Sequence, residues 1–181
     1  PLLRDGIASI LLEIPYYGSR KPHTQFNVFV ETVSDFFKMC GGTIAEGLSL
    51  ISYAKMEGFQ NVGVSGVSMG GNISCFVTSL SKEEIASVPC LPPHSPEPVF
   101  FSGLLKGSVD WKGLKKDTSD LELAKAKLSQ LLSSTDLLQF PKPISAKNVI
   151  LVAGEKDAIV SPDSVTQLHG YWEGSEIRWV K

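Results

Sequence analysis

A chain of 181 residues, 43% hydrophobic and 20% charged, is long enough for one domain with a real core and has the mix of an ordinary globular protein. Its net charge of −2 argues against nucleic acid as the main partner, because phosphate binding needs a concentrated basic surface; the one local cluster, Lys112, Lys115 and Lys116, reads as a solvated face. No apolar run reaches the roughly 18 residues of a membrane span. Cys40, Cys75 and Cys90 are odd in number and fit no zinc spacing, so they read as buried small hydrophobes in a reducing, intracellular compartment, an organelle such as the mitochondrion included. The chain opens on Pro1 rather than Met and shows no signal peptide, so it reads as a piece of a longer polypeptide whose targeting segment, if any, is absent.

In chain order, residues 7–14 (IASILLEI) form a short apolar run closed by Pro15, which predicts a strand buried on both faces; PYYGSRKP then reads as a loop. Val33, Phe36, Phe37, Cys40, Ile44, Leu48 and Ile51 recur at helical spacing and Gly58 marks the stop, while Gly41-Gly42 predicts a kink or two shorter helices. Asn61–Gly66 reads as a second strand, followed by a helix from about Gly70 to Ser81. The proline-rich PCLPPHSPEP (89–98) predicts a loop, and PVFFSGLL (98–105) a third strand. Residues 117–139 carry a leucine-rich helical pattern through Leu121, Leu128, Leu131 and Leu132, with Asp117, Ser119 or Asp120 as its cap. NVILVAG (148–154) is the clearest parallel-type strand, Ser161-Pro162-Asp163 a helix start, and EIRWVK a final strand. This alternation predicts an α/β fold: an open, mostly parallel sheet with helices on both faces.

The chemistry concentrates in NVGVSGVSMGGNISCF (61–76). G-x-S-x-G is a weak string in a chain with 16 glycines, but here a strand precedes it and a helix follows. That is the context in which a serine stands on a strained corner as a nucleophile, which makes Ser68 the candidate. Gly66 and Gly70 lack side chains where the turn crowds the backbone, and Gly71 lets the helix pack against the strand. The N–H of Met69, at the start of the helix, would donate to the oxyanion formed when Ser68 attacks a carbonyl. A phosphate-binding loop would carry lysine after the glycines, where Asn72 and Ile73 stand. An inert serine in a tight turn stays open as the plainer reading.

A nucleophilic serine needs a base and the base an orienting carboxylate. Asp157, three residues beyond NVILVAG, is the best placed acid, with Glu155 as first alternative; Asp163 belongs to the helix start and Asp136 to another segment. His23 and His94 precede the acid in loops, and His169 lies within the helix before the last strand. His169 has the order serine, acid, histidine and stays open as the base, but the base belongs in the loop after the last strand, which would put it just beyond Lys181.

These residues resemble the α/β-hydrolase superfamily and, within it, the group called alpha/beta hydrolase domain-containing protein 18-like. The matching pieces are PYYGSRKP (15–22), GVSGVSMGGNIS (63–74), PCLPP with FFSGLL after it, and VILVAGEKDAIVSP (149–162), which together span nearly the whole chain. The resemblance implies Ser68 as nucleophile, Met69 N–H as one oxyanion donor and Asp157 as triad acid. It implies a partial α/β-hydrolase domain over 1–181, with IASILLEIPYYG as the fourth strand of the fold and 104–147 as a helical cap-like insertion. The first three strands, the second oxyanion donor and the triad histidine would then lie outside the chain, leaving a fragment that is inactive and exposes an apolar sheet edge. Tyr16 or Tyr17 would border the site or simply pack the strand end. The function implied is a serine hydrolase of carboxylic esters, working through an acyl-enzyme on a small-molecule or lipid ester, with no metal or organic cofactor. The rival is a non-catalytic α/β-hydrolase-like module that binds a ligand or protein.

Overall fold

The computed structural model describes residues 2–26 and 29–181; the side chains of Asp117 and Thr118 lie outside that description. Among the described residues, strands β1 (Gly63–Val67), β2 (Ala86–Cys90), β3 (Ile150–Gly154) and β4 (Glu176–Val180) form one parallel sheet in the order β1-β2-β3-β4. Helices α1 (Val33–Met56), α2 (Met69–Leu80), α3 (Pro96–Phe101), α4 (Trp111–Thr118), α5 (Leu121–Ser133) and α6 (Pro162–Tyr171) occupy the connections. The mostly parallel sheet with helices is thus as the sequence predicts.

Side-chain alternation decides where the core sits. Ser87 and Pro89 of β2 and Leu151 and Ala153 of β3 point to one face and are buried. Cys75 and Phe76 of α2 and Val165 and Leu168 of α6 pack with Leu151 and Ala153 there, and Trp172 closes the cluster with no exposed surface. A second cluster joins Ile51 of α1 to Ile73 and Val77 of α2. On the opposite face Val67, Val88 and Val180 remain exposed, so the helical cover described here lies on one side. Burial pushes the Cys75 thiol far up and that of Cys40 up to about 11, so both behave as apolar packing groups; Cys90 is half-buried.

Four expectations change. Residues 7–14 form no strand: among the described residues no other segment pairs with them, and Leu11 is 95% exposed. A strand needs a neighbour for its backbone groups, and β1, the nearest candidate edge, pairs only with β2. The following loop is instead tied to α1. Tyr16 O–H donates to Asp35 at 2.9 Å, which raises the tyrosine's pKa, and Arg20 forks onto Glu46 at 2.6 and 2.7 Å. Second, Gly41-Gly42 does not break α1, which runs unbroken to a Gly58 stop. Each glycine costs about 1 kcal/mol of helix propensity. Close packing accounts for Gly47, further along the helix, where a Cβ would stand 2.9 Å from Val77 Cγ2 of α2.

Third, the strand expected at 98–105 is α3, and the third-strand role falls to β2, whose last residues lie inside the predicted loop. Ser95 accepts the Glu97 N–H at 3.3 Å with Pro96 at the first helical position. This is the same hydroxyl, proline, carboxylate signature that starts α6 at Ser161. Fourth, the leucine-rich helix holds Leu121, Leu128, Leu131 and Leu132 on one element as expected, but it is shorter than 117–139, running from Leu121 to Ser133 after a separate α4. Ser119, in the left-handed region at φ 61, closes α4, and the Asp120 carboxylate accepts the Glu122 N–H at 2.9 Å to cap α5. The side chain of Asp117, the third cap candidate, lies outside the described residues.

Pro89 has a further consequence for the sheet. Ala86 donates to Val62, and the carbonyls of Val88 and Cys90 also serve the β1 side, so residues 87, 89 and 91 face β3. At 89 that ladder has no N–H to give. Five residue pairs register β1 with β2 and five register β3 with β4, but β2 and β3 share one, Cys90 with Val152, plus an isolated bridge between Ser87 and Val149. The sheet therefore carries a sparse seam down its middle.

The α1 terminus yields a first prediction. Gly58 (φ +92) donates to Lys55 O and Phe59 to Ala54 O, the double bond pattern that closes a helix on a left-handed residue. Gly58→Ala should cost about 1 kcal/mol, read as a lower denaturant midpoint at unchanged slope.

Candidate functional site

Ser68 joins β1 to α2 with φ 56 and ψ −114, a conformation that costs a non-glycine residue about 1–3 kcal/mol. Its backbone is pinned: Ser68 N–H donates to Cys90 O at 2.8 Å, and Ser68 C=O accepts the Asn72 N–H at 2.9 Å. Its hydroxyl sits at the N-cap position of α2 yet makes no capping hydrogen bond. The strained backbone thus holds the Oγ free of the helix it precedes.

The glycines explain how so sharp a corner closes. A Cβ on Gly66 would fall on the Gly70 carbonyl group, and one on Gly71 would stand 2.5 Å from Cys90 O. Gly70 itself differs from expectation: its backbone is what Gly66 meets, but a Cβ there would face open space. Gly66→Ala should therefore destabilise by about 2–3 kcal/mol while Gly70→Ala leaves stability unchanged or higher, a contrast that chemical denaturation of the pair measures directly. Met69 is the first helical residue, so its N–H has no acceptor within the helix.

The acid candidate stands at the same end of the sheet. β1 and β3 run parallel, so Ser68 and Asp157 both follow carboxyl ends, with β2 between them. Two strand spacings amount to about 10 Å. Asp157 is half-buried, and its Oδ1 accepts the N–H groups of Ile159 at 2.8 Å and Val160 at 3.0 Å. That turn fixes the carboxylate and leaves Oδ2 with no hydrogen bond to the described residues. Beside it opens a cleft of about 220 Å³, whose walls include Ser95, Pro98, Val99, Asp157 and Ile159. Of the other acids, Glu155 and Asp163 are exposed, and Asp163 occupies the first turn of α6.

None of the three histidines reaches the gap. His169 Nδ1 lies 2.9 Å from Ser175 Oγ, and Ser175 precedes the first residue of β4, at the opposite end of the sheet from Asp157. His23 is exposed in its loop. His94 is buried, with Nδ1 2.8 Å from Asp136 Oδ1; its neighbours Pro93 and Ser95 line the cleft and it does not. This His94–Asp136 pair was invisible in the sequence, since the partners lie in separate segments with no shared motif. Among the described residues no cluster of three or more His, Cys, Asp or Glu could hold a metal ion, and no helix is long and apolar enough to cross a membrane.

A family model described as "Alpha/beta hydrolase domain containing 18" matches residues 1–126 and 115–181. Among solved structures, the chain is similar to the Pyrococcus horikoshii acylaminoacyl peptidase, with a TM-score of 0.50 and 12% identity over 73% of this chain and 21% of that one. It is also similar to a puromycin hydrolase mutant complexed with PGG, with a TM-score of 0.51 and 12% identity over 76% of this chain and 20% of that one. At that identity the likeness speaks for the fold, and this chain spans about a fifth of the length of either neighbour.

Proposed function

Because the chain belongs to the alpha/beta hydrolase domain containing 18 family, we propose that it carries the nucleophile and acid of a serine hydrolase of the carboxylic-ester type. The observation that supports this most is the Ser68 corner: a strained, uncapped serine between strand and helix, at the sheet end that also carries Asp157. In this reading Ser68 Oγ attacks the acyl carbonyl and passes its proton to an imidazole. The Met69 N–H stabilises the oxyanion, and the ester C–O bond breaks as the alcohol takes the proton back. Water then repeats the sequence in reverse and frees the acid. The imidazole belongs to a histidine past β4, in chain beyond Lys181. A residue there would emerge at the carboxyl end of β4, next to β3, where Asp157 Oδ2 can accept its N–H.

We assign 104–147 as a cap-like insertion between β2 and β3. The free thiols Cys40, Cys75 and Cys90 fit a reducing intracellular site. Residues 1–181 by themselves should turn over almost no ester.

A serine-directed fluorophosphonate tests the reading. It should label the full-length protein on the peptide that contains Ser68. Full-length protein that takes no label would favour the second reading, a non-catalytic binding module.

A further inference from the structure

We infer that His94, held by Asp136, is a positioning residue that sets the spacing between the Ser68 corner and the Asp157 loop. This rests on the reading of Ser68 and Asp157 proposed above. The need for such a residue follows from the seam. Ser68 belongs to the β1–β2 half and Asp157 to the β3–β4 half, and Pro89 leaves the two halves with one registered pair and one bridge between them. Strand pairing alone sets their separation weakly.

Beside the core that α2 shares with β3 and α6, several of the hydrogen bonds that cross lie in the loop after β2. Leu91 takes the left-handed region at φ 51 and donates its N–H to Val152 O at 2.7 Å. Three residues on, His94 N–H donates to Ser164 Oγ of α6 at 3.0 Å, and His94 C=O accepts the Leu137 N–H at 2.9 Å. The same loop reaches back to the nucleophile's helix, since Asn72 Nδ2 donates to Pro93 O at 2.8 Å. One short loop therefore touches α2, β3, α6 and the end of the helical excursion.

The ring of His94 locks that loop. A carboxylate has no proton to give, so His94 Nδ1–H donates to Asp136 Oδ1, which also accepts the Leu138 N–H at 2.9 Å. The His94 side chain is buried, 9% exposed, and Asp136 is half-buried, so water replaces the bond poorly on the His94 side. A leucine at positive φ gains nothing from its own backbone geometry and stays there because its surroundings hold it. His94 and Asp136 supply part of that hold.

The test is residue-resolved hydrogen exchange on the full-length protein, paired with ester kinetics. In His94→Ala the Leu91 amide, which crosses the seam, should exchange about tenfold faster, while the Ser68 amide, bonded within its own half, keeps its protection. Turnover per fluorophosphonate-titrated site should fall about tenfold with KM unchanged. His94→Asn, whose side-chain amide can occupy the Nδ1 position and donate to Asp136, should restore both. If His94→Ala does not fold, Asp136→Asn should show the same two effects at smaller size. Unchanged Leu91 exchange overturns the inference. So does an equal rise at Leu91 and Ser68, or a failure of His94→Asn to rescue. Should the wild type prove to have no hydrolase activity, the exchange results still decide whether His94 holds the seam.

Discussion

Ser68→Gly should abolish ester hydrolysis in the full-length protein and at the same time make its fold more stable. The two effects have separate origins. Removing the hydroxyl removes the nucleophile, and loss of one member of a catalytic unit can cost on the order of 10⁶ in kcat. Removing the Cβ relieves the corner, because glycine adopts φ 56 without the 1–3 kcal/mol that serine carries there. Part of that relief is offset by the larger entropy of an unfolded glycine, so a net gain of about 1 kcal/mol is expected. Ser68→Ala separates the terms: it should lose the same activity but gain no stability, since alanine keeps the Cβ. Kinetics with a p-nitrophenyl ester and denaturant midpoints for the three proteins measure both effects. A Ser68→Gly protein no more stable than Ser68→Ala would show that the corner stores no strain.

Asp157→Asn should lower kcat by about 10⁴ while leaving the fold intact. The structure explains the dissociation. Asp157 Oδ1 closes the local turn by accepting from Ile159 and Val160, and Oδ2 has no hydrogen bond to the described residues, which in the proposed reading leaves it for the imidazole. An asparagine keeps an acceptor for the turn but can no longer hold a protonated imidazole with a full negative charge. Asp157→Ala removes both functions, leaves two N–H groups without their acceptor, and should cost an additional 1–2 kcal/mol of stability. Equal activity losses with unequal stability losses are therefore the expected pattern in a comparison of kcat/KM with urea midpoints. If Asp157→Asn keeps activity within about tenfold of wild type, the acid is elsewhere, and the exposed Glu155 becomes the first candidate.

What was legible in the sequence was whatever depended on local order. The corner at Ser68 could be read because strand, glycine and helix follow one another within a few residues. The start of α6 could be read because Ser161, Pro162 and Asp163 state a cap, a fixed φ and a favourable charge in three letters. The identical statement at Ser95, Pro96 and Glu97 was hidden by the apolar run after it, which imitates a buried strand. Pro89 misled for the opposite reason: proline in an inner strand argues against that strand, yet here it is accommodated at the cost of a bond to β3. Residues 7–14 have strand-like composition, but composition cannot supply the neighbour a strand requires. The His94–Asp136 contact joins two distant segments, and a single sequence carries no trace of such a meeting.

The seam also orders how the chain can assemble. β1, α2 and β2 are consecutive, as are β3, α6 and β4, so each half can form through short connections as soon as it leaves the ribosome. Joining the halves means closing the long excursion between β2 and β3, and distant closures are the slow events in folding. A newborn chain would thus display its Ser68 corner well before Asp157 arrives beside it, and in the proposed reading chemical competence would be acquired at the last docking step.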